Sequence, residues 1–213
     1  MPQHTTDALI LRTYKLGESD RIVVFLTRDH GKKRGVAKNA RQSRRRFGGA
    51  LEPLTYGRVG YFERERRELV SLSYVEPVRS PLSAAHGEAL GYVGYFAELI
   101  DEWAQDADPN ESLFRLGASM VDAMAAGVPI EPLARYFEYW LLRLQGVYEP
   151  DPGLSQEARA FLAGARELSP LRLGSLPVSA RALEEIEVSH RALIALHLER
   201  ELRSVRVLRE MRA

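Results

Sequence analysis

Five short segments with the composition of β-strands lie within the first 75 residues, joined by turns rather than by helices. The last of these segments is the clearest, because Val70, Leu72 and Tyr74 share one face of an extended chain while Ser71 and Ser73 lie on the other. Strands are predicted at residues 8–14, 21–27, 34–38, 56–63 and 69–75. This order predicts a five-stranded Greek-key barrel of the OB type.

The spacing of apolar residues changes from alternation to a helical period near residue 80. Pro77 and Pro81 bracket the change. They predict a boundary between a barrel domain, residues 1–79, and a helical domain, residues 80–213. The predicted fold class is therefore α+β, with an N-terminal five-stranded OB-fold barrel followed by an all-helical C-terminal domain.

Helix starts in the second part are marked by residues that cap helices. Asn110 and Ser155 each precede a helical pattern, and another pattern begins at Ser179 or Ala180. This last pattern continues with apolar residues spaced by three or four positions as far as Leu208, so it predicts one long final helix.

The small net charge of +1 conceals two oppositely charged halves. Residues 1–80 contain 17 Lys and Arg against 9 Asp and Glu, whereas residues 81–213 contain 13 against 20. A basic module joined to an acidic one indicates that the first half binds a polyanion.

The basic charge is concentrated between residues 28 and 46, where Asp29 is the only acidic residue. The nine cations of this basic run are Arg28, Lys32, Lys33, Arg34, Lys38, Arg41, Arg44, Arg45 and Arg46. The run covers the third predicted strand and the following loop, which lie near the usual ligand face of an OB barrel. A solvated surface is the alternative to a nucleic-acid site, and the near absence of carboxylates favours the site. If about 4–6 of the cations reach phosphates of a single strand, the slope of log K for binding against log[salt] is expected to be about −3 to −4.

Aromatic side chains near the basic run are candidates for stacking on bases. Phe47 is the favoured one because three arginines precede it and two glycines follow; Tyr56, Tyr61 and Phe62 are further candidates. The segment FERERRE adds three arginines, Arg64, Arg66 and Arg67, which either extend the site or pair with the glutamates between them.

The ordered motifs of this sequence resemble one bacterial family. They are ALIL at residues 8–11, GESDRIV at 17–23, AKNAR at 37–41, RRFGG at 45–49 and LEP at 51–53. The final helical pattern also fits the resemblance, with His197, Leu198, Glu201, Leu202 and Ser204. Together they resemble RecO, a family of DNA recombination mediators.

The resemblance implies a non-enzymatic protein of DNA repair and recombination, without cofactors, in the cytoplasm and at the nucleoid. Members bind single-stranded and double-stranded DNA, anneal complementary strands, and help load RecA with RecR onto strands coated by single-strand DNA-binding protein. Many carry a four-cysteine zinc module. This sequence has no cysteine, so no zinc site and no disulfide is predicted.

The resemblance also implies contacts with RecR, with RecA-pathway proteins and with the acidic tail of single-strand DNA-binding protein. Such a tail needs an apolar groove with a basic rim. Two sets of arginines are candidates for the rim: either Arg135 and Arg143, or the C-terminal Arg200, Arg203, Arg206 and Arg209.

No catalytic or membrane motif is found in the sequence. The phosphate-binding loop, the dinucleotide-binding glycines and the nucleophile elbow are all missing. His190 and His197 lack an evident third metal ligand. No leader peptide and no apolar run of about 18 residues is found, which predicts a cytoplasmic protein. Two alternatives remain: a metal-dependent nucleic-acid enzyme with Glu63 or Glu65 holding Mg²⁺, and an RNA-binding OB adaptor.

Overall fold

The N-terminal part of the chain is a closed β-barrel. The computed structural model describes residues 3–63 and 68–212. The strands are β1 Gln3–Leu16, β2 Asp20–Thr27, β3 Gly31–Ala37, β4 Tyr56–Phe62 and β5 Val70–Arg79. They follow the spatial order β1-β2-β3-β5-β4, with β3 and β5 parallel and the other neighbours antiparallel. This arrangement confirms the predicted five-stranded barrel.

The chain beyond β5 is helical, which confirms the α+β class. Its helices are α2 Glu88–Trp103, α3 Glu111–Ala125, α4 Ile130–Leu144, α5 Gln156–Glu167, α6 Ala180–Leu198 and α7 Arg203–Arg212, while a single turn, α1 Arg44–Phe47, lies in the loop after β3. The predicted caps are present: Asn110, Ser155 and Ser179 accept hydrogen bonds from backbone N–H groups three residues later. Within the described ranges, no helix is long and apolar enough to cross a membrane.

The prediction of one long final helix is wrong. The chain leaves α6 at Glu199, whose φ of 53° is left-handed, and resumes as α7 at Arg203. The carboxylate of Glu98 on α2 accepts hydrogen bonds from the backbone N–H groups of Arg203 and Ser204, at 3.1 and 2.8 Å. The new helix start is thus stabilised by a residue about 100 positions away, which no local pattern reveals.

Both faces of the barrel wall are buried along β1 and β2. Ile10 and Phe25 point into the barrel interior, whereas Leu9 and Leu26 point outwards and belong to the core of the helices. Successive side chains of a strand alternate between faces, so the same strands supply both cores. The barrel and the helices therefore share an apolar interface rather than a linker.

A second set of contacts joins β3 to the segment between α2 and α3. The backbone of Lys32 donates to the Gln105 carbonyl and accepts from the Ala107 amide, at 3.2 and 3.0 Å. Gly31, with φ of 67°, lies so close to Asp108 that an added Cβ would be 2.4 Å from the Asp108 backbone nitrogen. Only glycine fits here without strain. The turn into β3 is consequently fixed by the helical domain.

Candidate nucleic-acid interface

The strand half of the basic run is neutralised by carboxylates from distant segments. The pairs are Arg28–Asp7 at 3.8 Å, Arg28–Glu111 at 3.9 Å, Lys32–Asp101 at 3.3 Å, Lys33–Glu63 at 2.8 Å and Arg34–Asp106 at 3.9 Å. The expectation that the whole run faces almost no carboxylate is thus wrong for these four cations. The strand pairing and the domain interface bring together residues that are far apart in sequence.

Lys32 and Lys33 are also poor candidates for phosphate contacts because of their surroundings. The Lys32 side chain is buried, and its ammonium group donates to the Asp101 carbonyl oxygen at 2.7 Å. Lys33 donates to the Glu63 carboxylate, and this hydrogen bond is the main reason why the pKa of Glu63 is lowered. Lys32 therefore joins the two domains, and the prediction that it contacts nucleic acid is corrected.

The loop half of the run has a different environment. Lys38 and Arg45 are exposed, Arg46 is half-buried, and Arg41 is exposed beside the β1–β2 turn. Two guanidinium groups hydrogen-bond to backbone carbonyls: Arg41 to Glu18 at 2.9 Å and Arg46 to Lys38 at 2.8 Å. Among the residues that the structure describes, none of these four cations pairs with a carboxylate. The loop thus presents a set of cations of which Arg41 and Arg46 are held in position. This set is here called the loop cations: Lys38, Arg41, Arg45 and Arg46.

Phe47 does not lie on the ligand surface. Its ring is 2% exposed and packs in the barrel interior with Ala50 and Leu51. The segment between β3 and β4, which includes α1, places its apolar residues in the barrel core, while Arg41 and Arg45 of the same segment are exposed. The prediction that Phe47 stacks on bases is therefore wrong, and the Arg46 guanidinium covers its ring at 5.1 Å. Tyr61 is also fully buried.

Two further cations near the loop were missed by sequence reasoning. Lys15 and Arg21 are directly opposite each other across β1 and β2, and Arg21 is opposite Ala37, immediately before Lys38. Strand register therefore brings these two residues beside the start of the loop. A search for charge runs misses them because each is a single cation on its strand. A third cation, Arg12, is in line with Val24 and Arg34 instead, and it forms an ion pair with Asp101 at 2.6 Å.

Some predicted residues fall outside the described part of the chain. Arg64, Arg66 and Arg67 lie outside it, as does Glu65, and the side chain of Arg44 is not described either. Glu63, the other proposed Mg²⁺ ligand, is paired with Lys33. Among the described residues, no group of three or more His, Asp or Glu side chains could hold a metal ion.

Arg135 belongs to a buried network, not to the rim of a groove. Its side chain is 1% exposed and pairs with Glu138 and Glu187, both at 3.3 Å. Glu138 also accepts a hydrogen bond from the Tyr95 hydroxyl at 2.8 Å and lies 3.2 Å from His190. The network joins α2, α4 and α6, so the prediction of a partner-binding role for Arg135 is corrected to a structural one.

The other predicted partner residues lie at two separate places. Arg143 is exposed on α4, where it covers the rings of Tyr139 and Trp140. Arg200 lines a groove of about 340 Å³ between α6 and α7, and Arg203 begins α7. The groove has an apolar floor formed by Tyr95, Ile194, Ala195, Leu202 and Val205, and its rim consists of Arg191, Arg200, Arg209 and Glu201. Glu201 pairs with Arg209 at 2.6 Å. Arg200 also pairs with Glu102.

Comparison with known proteins places this architecture in one family. The model "Recombination protein O N terminal" matches residues 1–81, and "Recombination protein O C terminal" matches residues 85–151. The DNA repair protein RecO of Pelotomaculum thermopropionicum is 30% identical over 241 residues, covering 96% of this chain and 93% of the relative. The chain belongs to the RecO family. The resemblance noted from the sequence is thereby confirmed.

Other RecO relatives match the chain more closely over a shorter part. The DNA repair protein RecO of Koribacter versatilis is 45% identical over 148 residues, which are 68% of this chain and 59% of the relative. The DNA repair protein RecO of Anaeromyxobacter sp. (strain K) is 41% identical over 141 residues, which are 65% of this chain and 55% of the relative. The aligned part thus spans less than two thirds of these two relatives. In this RecO family member, α4 leads through residues 145–155 directly into α5, without any cysteine.

Proposed function

We propose that this protein acts in DNA repair as a recombination mediator that binds single-stranded DNA and anneals complementary strands. The observation that carries the proposal is the set of loop cations, which are unpaired with carboxylates among the described residues and two of which, Arg41 and Arg46, are held by hydrogen bonds to backbone carbonyls. Phosphates are the ligands that such a surface favours, because each neutralised phosphate releases condensed counterions. Family membership supports the repair role.

Annealing follows from the same surface without a catalytic residue. Two complementary strands repel each other through their phosphates, and bound cations reduce that repulsion. The acidic helical domain, with 20 Asp and Glu against 13 Lys and Arg in residues 81–213, repels DNA and so directs a strand towards the barrel. Double-stranded DNA is bound through the same phosphate contacts, which is compatible with a nucleoid location.

We further propose that partner proteins bind the helical domain. The groove between α6 and α7 combines an apolar floor with arginines, as an acidic tail with an apolar end requires. The tail of single-strand DNA-binding protein has this chemistry, so we propose Arg200, which lines the groove, as a contact, together with Arg203 at the start of α7 outside the lining. RecR and proteins of the RecA pathway complete the proposed set of partners, in line with the loading of RecA onto coated strands.

The two alternative functions have less support. Of the two carboxylates proposed to hold Mg²⁺ in an enzyme, Glu63 is occupied by Lys33, and Glu65 lies outside the described residues. An RNA-binding adaptor would use the same cations, and competition between DNA and RNA oligomers of identical sequence separates it from the DNA-binding proposal.

Replacing two loop cations is expected to weaken single-strand binding and flatten its salt dependence. For the double variant Lys38→Ala and Arg45→Ala, loss of about two phosphate contacts makes the slope of log K against log[salt] shallower by about 1.4. The slope is measured by fluorescence anisotropy with labelled oligothymidine between low and moderate salt. The matched control, Arg28→Ala with Lys33→Ala, removes the same charge at paired positions and is expected to change the slope by less than half as much. Equal slopes for the two double variants would place the site elsewhere.

Strand annealing is expected to be faster with the protein than without it, in the absence of ATP and metal ions. Complementary oligonucleotides with a fluorophore and a quencher report the rate, because pairing brings the two labels together. The loop variant should lose most of the acceleration and the control variant should keep it. An annealing rate unchanged by the wild-type protein at low salt would contradict the proposed function.

A further inference from the structure

The outer face of the barrel carries an uncovered row of side chains beside the loop cations. Cross-strand partners lie on the same face of a sheet. Tyr14 on β1 is opposite Ile22 on β2, and Ile22 is opposite Val36 on β3. Tyr14 is 41% exposed, and Ile22 and Val36 are half-buried. The three side chains form a strip across three strands, roughly 10 Å wide.

The helices cover this outer face elsewhere but stop before the strip. Val24 and Leu26, the next outward residues of β2, are buried in the core that the helices form. Beyond Val24 the same face reaches solvent. An aromatic ring and two β-branched side chains thus lie at the surface of a strongly basic part of the barrel.

The ring of Tyr14 is held in position by a cation. The Arg12 guanidinium lies 4.9 Å from the ring centroid and is itself anchored to the Asp101 carboxylate on α2 at 2.6 Å. Other cations lie close to the strip: Lys38 follows the end of β3, whereas Lys15 and Arg21, next along β1 and β2, belong to the opposite face of the sheet, in line with the buried Ala37. An aromatic platform with cations beside it fits a polyanion that also carries flat apolar groups.

We infer that Tyr14, with Ile22 and Val36 beside it, is the platform on which bases of a bound single strand stack while its phosphates contact the loop cations. The inference rests on the proposed function and adds to it a contact with the bases. Stacking is tolerant of sequence because every base has a π-face. It also distinguishes single strands, whose bases are free, from paired duplex.

The test combines a change in the protein with a change in the ligand. Binding of oligothymidine and of an abasic strand of equal length is measured for the wild type, Tyr14→Ala and Tyr14→Phe at constant salt. Tyr14→Ala should weaken oligothymidine binding by about 5- to 100-fold, the range for losing one stacked base, and abasic binding by less than about twofold. Tyr14→Phe retains the ring and should bind like the wild type. The salt slope should stay unchanged in both variants.

A control variant and a folding check keep the outcomes separate. Val78→Ala, at a position on β5 that is 63% exposed, should bind both strands normally. The platform proposal would be overturned if Tyr14→Ala weakened binding of oligothymidine and of the abasic strand equally, or weakened neither. A defect of Tyr14→Ala limited to binding of a partner protein would also overturn it. If the wild type binds neither strand, the proposed function fails instead. Circular dichroism melting of each variant verifies that the fold is intact.

Discussion

Glu138→Ala is expected to lower the free energy of unfolding by about 3–5 kcal/mol, the usual cost of removing one partner from a buried ion pair. Arg135 would lose one of its two carboxylates inside the helical core, and the Tyr95 hydroxyl would lose its acceptor. Urea unfolding, followed by circular dichroism, measures the change. The matched control is Glu184→Ala, which removes an exposed carboxylate on α6. It should lower the free energy of unfolding by less than about 0.5 kcal/mol.

The same carboxylate makes stability depend on pH. Burial, the largest effect, raises the pKa of Glu138, but attraction by Arg135 and the interactions with His190 and Tyr95 outweigh it, so that the pKa lies below the ordinary 4.5. A lowered pKa in the folded state stabilises the protein above the unfolded-state pKa, and this stability is lost as pH falls through the folded pKa. The stability difference between wild type and Glu138→Gln should therefore shrink on acidification below about pH 4. A constant difference would contradict this assignment.

Gly31→Ala is expected to destabilise the protein by roughly 2–5 kcal/mol. The first cause is the positive φ, and the second is overlap of the new Cβ with the Asp108 backbone. Because the backbone around Asp108 belongs to the segment between α2 and α3, the change should loosen the contact between barrel and helices. Hydrogen exchange should then show faster exchange at the amides of Lys32 and Ala107.

Gly49→Ala provides the comparison for that variant. Gly49 also has a positive φ, 71°, but an added Cβ there would meet no atom within 4 Å. Gly49→Ala should therefore lower the free energy of unfolding by about 1–2 kcal/mol, which is the effect of the positive φ alone. Hydrogen exchange at the Lys32 and Ala107 amides should stay unchanged. An equal loss of stability in Gly31→Ala and Gly49→Ala would show that the close packing of Gly31 against Asp108 is unimportant.

Local patterns predicted the fold better than they predicted the interface. Strand alternation around Leu72 and the caps at Asn110 and Ser155 depend on neighbouring residues, and both were recovered from the sequence. The end of α6 and the start of α7 depend on Glu98, which packs against them only in the folded chain. A periodic pattern continues through such a break because the apolar spacing hardly changes.

The site residues show the same division. Nine clustered cations are visible in the sequence, but four of them pair with Asp7, Asp101, Glu63 and Asp106, which come from other elements. These four were therefore over-valued as contacts for nucleic acid. Phe47 was misplaced because the packing of its own loop into the barrel core cannot be read from composition. Tyr14, by contrast, becomes visible only when strand register places it beside Ile22 and Val36.

The apolar contact between the barrel wall and the helices has a consequence for how the proposed ligands meet. Leu9 and Leu26 lie in one core with the helices, and Lys32 and Asp101 pair across the same junction, so no free hinge separates the two parts. A strand on the barrel and a tail in the α6–α7 groove would thus be held at a constant separation. Any adjustment of the distance between strand and tail would then have to come from the two ligands and not from a movement between the barrel and the helices.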